Sequence, residues 1–373
     1  MATPQRAALL KVLANIVKAD TPQTRATMLL FLAPLDRIHL LTALPELHAE
    51  LGTASPGLVQ LRALVDAAEG ASSPSAPVIG KQHFISQTLL ARWTTKVSPK
   101  AGAGKQLIRY TLATGAAEPK TTGQVGHKVN FVKIDSAVTE RLWKPTEDNL
   151  PVAIAAAEDG SMFAKPELQV ILRDAVALHF ARNPLTKELH ESTWSRVNQE
   201  QLERIAQTDL AKEAFRKTTG IHAAGEEAER LGARAVLQNA FDLEQSGGMF
   251  RFVVEQRYER VRALIAQSAI EVIVPADPLD EFLIGDRPAM TYDSTTGAAG
   301  LEEGVGLAMT EMLVLPLGPR LMVALGHSGS RQASGEWVEK INQAQVRTAK
   351  ENVFYRPGAK VGQQVAKWRP AKP

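Results

Sequence analysis

The chain contains no cysteine. Disulfide frameworks, Cys-ligated zinc, iron–sulfur clusters and thiol nucleophiles are therefore excluded. It has no run of about 18 apolar residues, the length that reads as a membrane-spanning helix, so no membrane association is expected. The first twenty residues place Arg6, Lys11, Lys18 and Asp20 among their apolar positions. They lack the uninterrupted apolar stretch and small-residue cleavage site of a secretory signal, and a cytoplasmic location is expected. Charge of one sign is also scarce. Lys plus Arg is 43 and Asp plus Glu is 40. The resulting pI of about 9.0 comes from a small surplus, too small to imply nucleic-acid binding by composition. Aromatic residues are only 5%, while alanine is abundant, which favours a helix-rich fold.

What is present is ordinary globular usage over 373 residues, enough for two or three domains at roughly 150 residues each. Residues 1–70 carry leucines at helical spacing, with Thr21-Pro22 and Ser55-Pro56 as helix starts. They read as a small helical bundle suited to packing and interaction. The Ser/Pro/Ala stretch at 71–79 reads as a linker. Residues 80–357 read as one mixed domain. Strands are expected at 107–112, 129–135, 269–274, 282–285, 312–317 and 321–324. Helices are expected at 151–158, 166–180, 185–214, 225–243 and 336–351. Strands, a helical middle, then strands again predict an α+β fold with a mainly antiparallel sheet. The basic tail, 358–373, has little apolar content and is expected to be mobile.

No Walker loop, G-x-G-x-x-G, H-E-x-x-H or G-x-S-x-G signature occurs. Five shorter motifs carry polar chemistry. His83 and Gln87 are four apart and share a face if helical; the plainer reading buries Ile85, Leu89 and Trp93 and leaves His83 outside. Glu140 and Glu147 are two helical turns apart and, on one face, are able to hold a hard cation or divide acid and base roles, although Pro145 interrupts the geometry. His179 and Arg182 lie at the end of a helix that stops before Pro184. Arg182 is either a phosphate clamp or a dipole cap. Its spacing to His190 is a near miss for the R-x4–6-H pattern of HEPN ribonucleases, with seven residues between, and that assignment is rejected. Asp286 follows an apolar strand and precedes Pro288, either a metal or base position or simply a turn. Asn342 lies on an amphipathic helix and either makes a buried polar contact or faces solvent.

In this order the motifs resemble the bacterial family known as domain of unknown function 4238, over about residues 80–357. Members usually have Pro where Ser86 stands, and Asp-Asn-Pro where this chain has Asp286-Arg287-Pro288. The family carries no settled activity, so the resemblance implies a grouping and a set of polar positions. Residues 1–70 are similar in size and leucine spacing to effector-associated adaptor domains of bacterial conflict systems. That similarity implies a homotypic or adaptor partner and a tethered effector.

The expectation is an antiphage-type effector with a hydrolase domain, a candidate nuclease on a nucleic-acid substrate. His83 is the expected acid or base. Glu147 and Asp286 are expected to bind a divalent metal such as Mg2+ or to position water. Arg182 is expected to stabilise phosphoryl charge, with Gln87 and Asn342 orienting the others. The alternative is a sensor module that binds a ligand or protein without turnover. A third reading makes these residues buried hydrogen-bond hubs of the fold.

Overall fold

The computed structural model describes residues 79–96, 104–134, 136–308 and 310–369. The expected bundle at 1–70 and the linker up to residue 78 lie outside the described residues. The strands are β1 (Lys81–His83), β2 (Thr95–Lys96), β3 (Lys105–Thr111), β4 (Ala116–Lys120), β5 (His127–Val129), β6 (Ile270–Pro275), β7 (Ile284–Gly285), β8 (Met290–Tyr292), β9 (Met312–Gly318), β10 (Leu321–Leu325), β11 (Gly329–Ala333) and β12 (Asn352–Tyr355). The helices are α1 (Gln87–Arg92), α2 (Ser136–Glu158), α3 (Pro166–Ala181), α4 (Pro184–Ala206), α5 (Asp209–Thr219), α6 (Glu226–Val236), α7 (Gln238–Ser246), α8 (Gly248–Ile265), α9 (Gly335–Thr348) and α10 (Val365–Trp368). The fold is α+β, and every strand pairing among the described residues is antiparallel except β11 with β6.

The described residues divide into two compact units. One comprises 132–136 and 191–251, and the other 79–131, 137–190 and 252–369. In the larger unit one sheet has the order β11-β6-β10-β9-β8, and a second has β2-β3-β12-β7 with β4 on β3. β9 and β10 read as continuous apolar runs and are buried at every position, because both faces of the sheet are covered. Helix α9 serves both cores. Val338, Ile341 and Ala344 pack with Ile273, Val314 and Met322 of the first sheet. Val346 packs with Val353 and Tyr355 of the second. Its Asn342 and Gln345, one turn apart, reach the strand segment that ends at Pro288. Asn342 accepts from Leu283 N–H at 3.0 Å and donates to the Glu281 carbonyl at 2.8 Å. Gln345 accepts from Gly285 N–H at 2.8 Å and donates to the Pro288 carbonyl at 2.9 Å.

In the smaller unit, α5 and α6 pack closely. A Cβ on Gly232 would lie 2.0 Å from the Ala211 carbonyl oxygen, so the contact requires glycine. Ala206, Ala211 and Ala233 form the core there, with Leu202 and Ile205 against it.

Several boundaries differ from the sequence expectation. The helix expected at 185–214 breaks at Thr208, whose N–H and hydroxyl both bond the Ile205 carbonyl, at 2.9 and 2.6 Å. No proline or glycine marks that break. The strand expected at 129–135 is β5, ending at Val129, because Asn130 takes the left-handed conformation (φ 52°) and turns the chain. Conversely, α2 continues through Pro145 and Pro151. The tail is not free of the core. Val361 and Val365 are buried beside Tyr355, and Arg369 donates to the Ala113 carbonyl at 2.6 Å. Two well-placed valines fix it despite its polar composition.

Candidate functional site

The site lies within the larger unit and is built from three local arrangements. The first is the β1–β5 pair. Its register sets His83 opposite His127, and the two imidazoles meet edge to face at 5.4 Å. The chain then turns into α1, and the Gly126 carbonyl holds the turn by accepting from both Phe84 and Ile85 N–H. Gly126 has φ +65°, and a Cβ there would meet Leu90 at 2.6 Å, so glycine is needed twice over. His83 ends a strand and Gln87 begins a helix, yet Gln87 Nε2 lies 2.7 Å from His83 Nε2. Ile85, Leu89 and Trp93 are buried as the plainer reading expected. His83 itself is half-buried rather than outside.

The second arrangement is one face of α2. Glu140, Trp143 and Glu147 stand at i, i+3 and i+7, which share a face because the helix runs unbroken past Pro145. The third is the C-terminal end of α3, where His179 sits in the last turn and Arg182 caps it. Asn183 then starts α4 by accepting from Thr186 N–H at 3.1 Å.

Arg182 is the centre. It is 1% exposed and donates from Nη2 to Glu147 Oε1 at 2.5 Å. Its Nη1 is 3.7 Å from Glu140 Oε2, and its guanidinium carbon lies 4.6 Å over the Trp143 ring. A fork held flat by an aromatic face and two carboxylates is fixed in orientation. His179 is fully satisfied. It donates from Nδ1 to the Ala175 carbonyl at 2.8 Å and accepts on Nε2 from Ser86 N–H at 3.2 Å.

The electrostatics sort the titratable groups. Burial, then the His127 and Arg182 charges, push His83 below the ordinary histidine value, against the pull of Glu147. Burial, with Arg182, brings His179 down to about 4. Burial raises the Glu140 carboxyl, and Glu147 adds to the rise while Arg182 opposes it. Burial also pushes Glu147 upward, but the charge and hydrogen bond of Arg182 outweigh it and leave Glu147 lowered. The shifts therefore favour the neutral forms of His83, His179 and Glu140 and the ionised form of Glu147.

Three buried nitrogens of the cluster have no hydrogen-bond partner: Arg182 Nε, Trp143 Nε1 and His83 Nδ1. The first two are obligate donors. With Gln87 Nε2 donating to the ring, His83 carries its proton on Nδ1; with that amide turned over, Nδ1 carries the lone pair.

The structure thus brings His83, Gln87, Glu147 and Arg182 together and adds Glu140, Trp143, His127 and His179. Asp286 and Asn342 have other partners. The fully buried Asp286 carboxylate accepts from the backbone N–H groups of Lys350, Glu351 and Asn352 at 2.8, 2.7 and 3.0 Å. Burial raises its pKa against those bonds. Asn342 holds the Glu281–Leu283 backbone. The expected metal pair of Glu147 and Asp286 is thus split between an arginine and a row of amides. Among the described residues, no three His, Asp or Glu side chains converge as metal ligands. Arg287, where the family resemblance implies Asn, pairs with Glu302 and lies 3.9 Å from Glu188. Sequence reasoning missed Trp143 and His127. The i, i+3, i+7 spacing marks Trp143 once α2 is known to be continuous; nothing local marks His127, which arrives by strand pairing.

This chain, with its β1–β5 pair, helical middle and two sheets, is matched over residues 81–359 by a family model described as protein of unknown function (DUF4238). The chain belongs to that family. No curated protein and no solved structure matches it.

Proposed function

We propose that the cluster around Arg182 is a hydrolytic centre acting on a phosphodiester, in a nuclease-type effector recruited or activated by a protein partner through residues 1–70. The observation that carries this reading is the convergence of His83, Glu140 and Glu147, each only partly buried, on the fixed guanidinium of Arg182. The Arg182 charge, held beside the two carboxylates, offsets the phosphoryl charge that grows in the transition state. His83, half-buried and with Gln87 Nε2 at 2.7 Å from its Nε2, takes a proton from water as that water attacks phosphorus. Glu140 gives a proton to the leaving oxygen. The directions of the shifts suit these roles, since a lowered pKa favours the free-base histidine and a raised one favours the protonated carboxyl. Solvent then returns the His83 proton to Glu140. Gln87 and Glu147 orient His83 and Arg182.

The test incubates the purified full chain with single- and double-stranded DNA and RNA, beside His83→Ala and Glu140→Gln. Expression toxicity and thermal melting are followed in parallel. Cleavage by the wild type, falling about 100-fold or more in variants that melt normally, is the expected result. His83→Ala retaining full cleavage refutes the assignment. Saturable oligonucleotide binding without cleavage moves the reading to the sensor alternative, because the same charge attracts an oxyanion without turnover.

A further inference from the structure

Helix α8 carries two arginines five residues apart with opposite circumstances. Arg262 is fully occupied. It grips Asp174 with Nε and Nη2 at 2.9 and 3.1 Å, and its Nη1 lies 3.2 Å from Glu259. Arg257 is half-buried, with its guanidinium carbon 5.2 Å over the Phe180 ring. Among the described residues it makes no hydrogen bond and no ion pair. The nearby acids are committed elsewhere: Glu255 accepts from Thr139 at 2.6 Å, and Asp174 and Glu259 serve Arg262. Burial alone draws the Arg257 pKa down to about 10, with no carboxylate opposing it. A half-buried cation without a counter-charge has its donors free for solvent or for an anionic ligand. None of its nitrogens is among the fully buried partnerless atoms, so its N–H edge remains reachable.

We propose that Arg257, backed by Phe180, is a second ligand site that takes a phosphate-type oxyanion. The ring covers one face of the guanidinium, and the N–H groups lie in its plane. Two oxygens of a phosphate match that edge in the paired geometry that Asp174 already shows on Arg262. The ring also offers an apolar surface to whatever group bears the phosphate. This site is independent of the hydrolytic reading, because Arg257 shares no contact with His83, Glu147 or Arg182 among the described residues.

The test uses the full chain with inorganic phosphate as the probe, and acetate and chloride at matched ionic strength. Titration calorimetry and thermal melting are the readouts, on wild type, Arg257→Met, Arg257→Lys and His83→Ala. Wild type and His83→Ala are expected to bind phosphate saturably, with the melt rising about 2–4 °C at roughly ten times the dissociation constant. Acetate and chloride are expected to do less. Arg257→Met is expected to melt at or above wild type without phosphate and to lose the response. Arg257→Lys, which keeps the charge but not the fork, is expected to bind about tenfold or more weakly. A response that survives in Arg257→Met, or is absent from wild type, overturns the proposal. So does a response lost in His83→Ala alone, since it places the anion at Arg182. If Arg257→Met melts early, Arg257→Lys decides, and equal affinity in that variant overturns the paired geometry.

Discussion

The backbone N–H of Ser86 donates to Nε2 of His179 across 93 residues of chain. That bond fixes the start of α1, and with it Gln87 and His83, onto α3 two residues before the helix ends. It also fixes the tautomer of His179, whose Nδ1–H is used on the Ala175 carbonyl. A histidine with both nitrogens engaged and no exposure is a hub that positions the cluster rather than a proton carrier.

This geometry predicts acid sensitivity. His179 titrates near 4 in the folded chain and near 6.5 when unfolded. Between those values the unfolded state binds the extra proton, so stability rises with pH through that window and is lost as pH falls from about 6.5 toward 4. The loss attributable to this residue is about 3 kcal/mol. Urea melts at pH 7, 5.5 and 4.5 on wild type and His179→Gln check it; the variant is expected to show the shallower dependence.

The family resemblance implies Pro at the place of Ser86, and Pro has no N–H to give. Ser86→Pro here is expected to cost about 1–2 kcal/mol by leaving Nε2 of His179 unbonded. Chemical denaturation at pH 7.5 measures this, and a neutral or stabilising result would show that the bond contributes nothing net.

Arg182 and Glu147 are expected to be strongly coupled. Arg182→Met leaves a largely buried carboxylate unpaired, and Glu147→Gln leaves a buried guanidinium short of its partner. Each is expected to destabilise by about 3 kcal/mol. The double variant should cost clearly less than the sum. A denaturation double-mutant cycle with additive losses would contradict the pairing.

Asp286→Asn keeps the shape but places an amide N–H₂ against backbone N–H groups. The loss of charge-assisted bonds to residues 350–352 is expected to cost about 2–3 kcal/mol. Any activity per folded molecule should be unchanged. An activity lost at full stability would return Asp286 to a chemical role.

Gly232→Ala forces α5 and α6 apart, since its Cβ would collide with the Ala211 carbonyl. A cost of about 1–3 kcal/mol is expected. Hydrogen exchange should report it in residues 209–236, with β9 and β10 keeping their protection.

The apolar strands and long helices were legible because burial writes period and run length directly into the sequence. β6, β9, β10 and α3 fall within a residue of expectation, and α9 starts within one and ends three early. Polar breaks such as Thr208 were not, because the hydroxyl that ends a helix there is common inside helices too. Of the site, His83, Gln87, Glu147 and Arg182 were legible from motif spacing. Asp286 and Asn342 were misread as part of it: a polar residue beside an apolar strand looks the same whether it faces a substrate or ties down backbone. His127 needed the strand register, which no single segment encodes.

The face of α2 that bears Glu140, Trp143 and Glu147 is fastened from late in the chain. Thr139 bonds Glu255, 116 residues on, and Thr146 meets Tyr258, 112 residues on. Trp93 at the end of α1 reaches the Phe282 carbonyl, 189 residues on. During synthesis, the residues that make the centre leave the ribosome well before those that hold them in place. A nascent chain therefore carries the whole chemical set without its geometry until residues 255–282 have emerged.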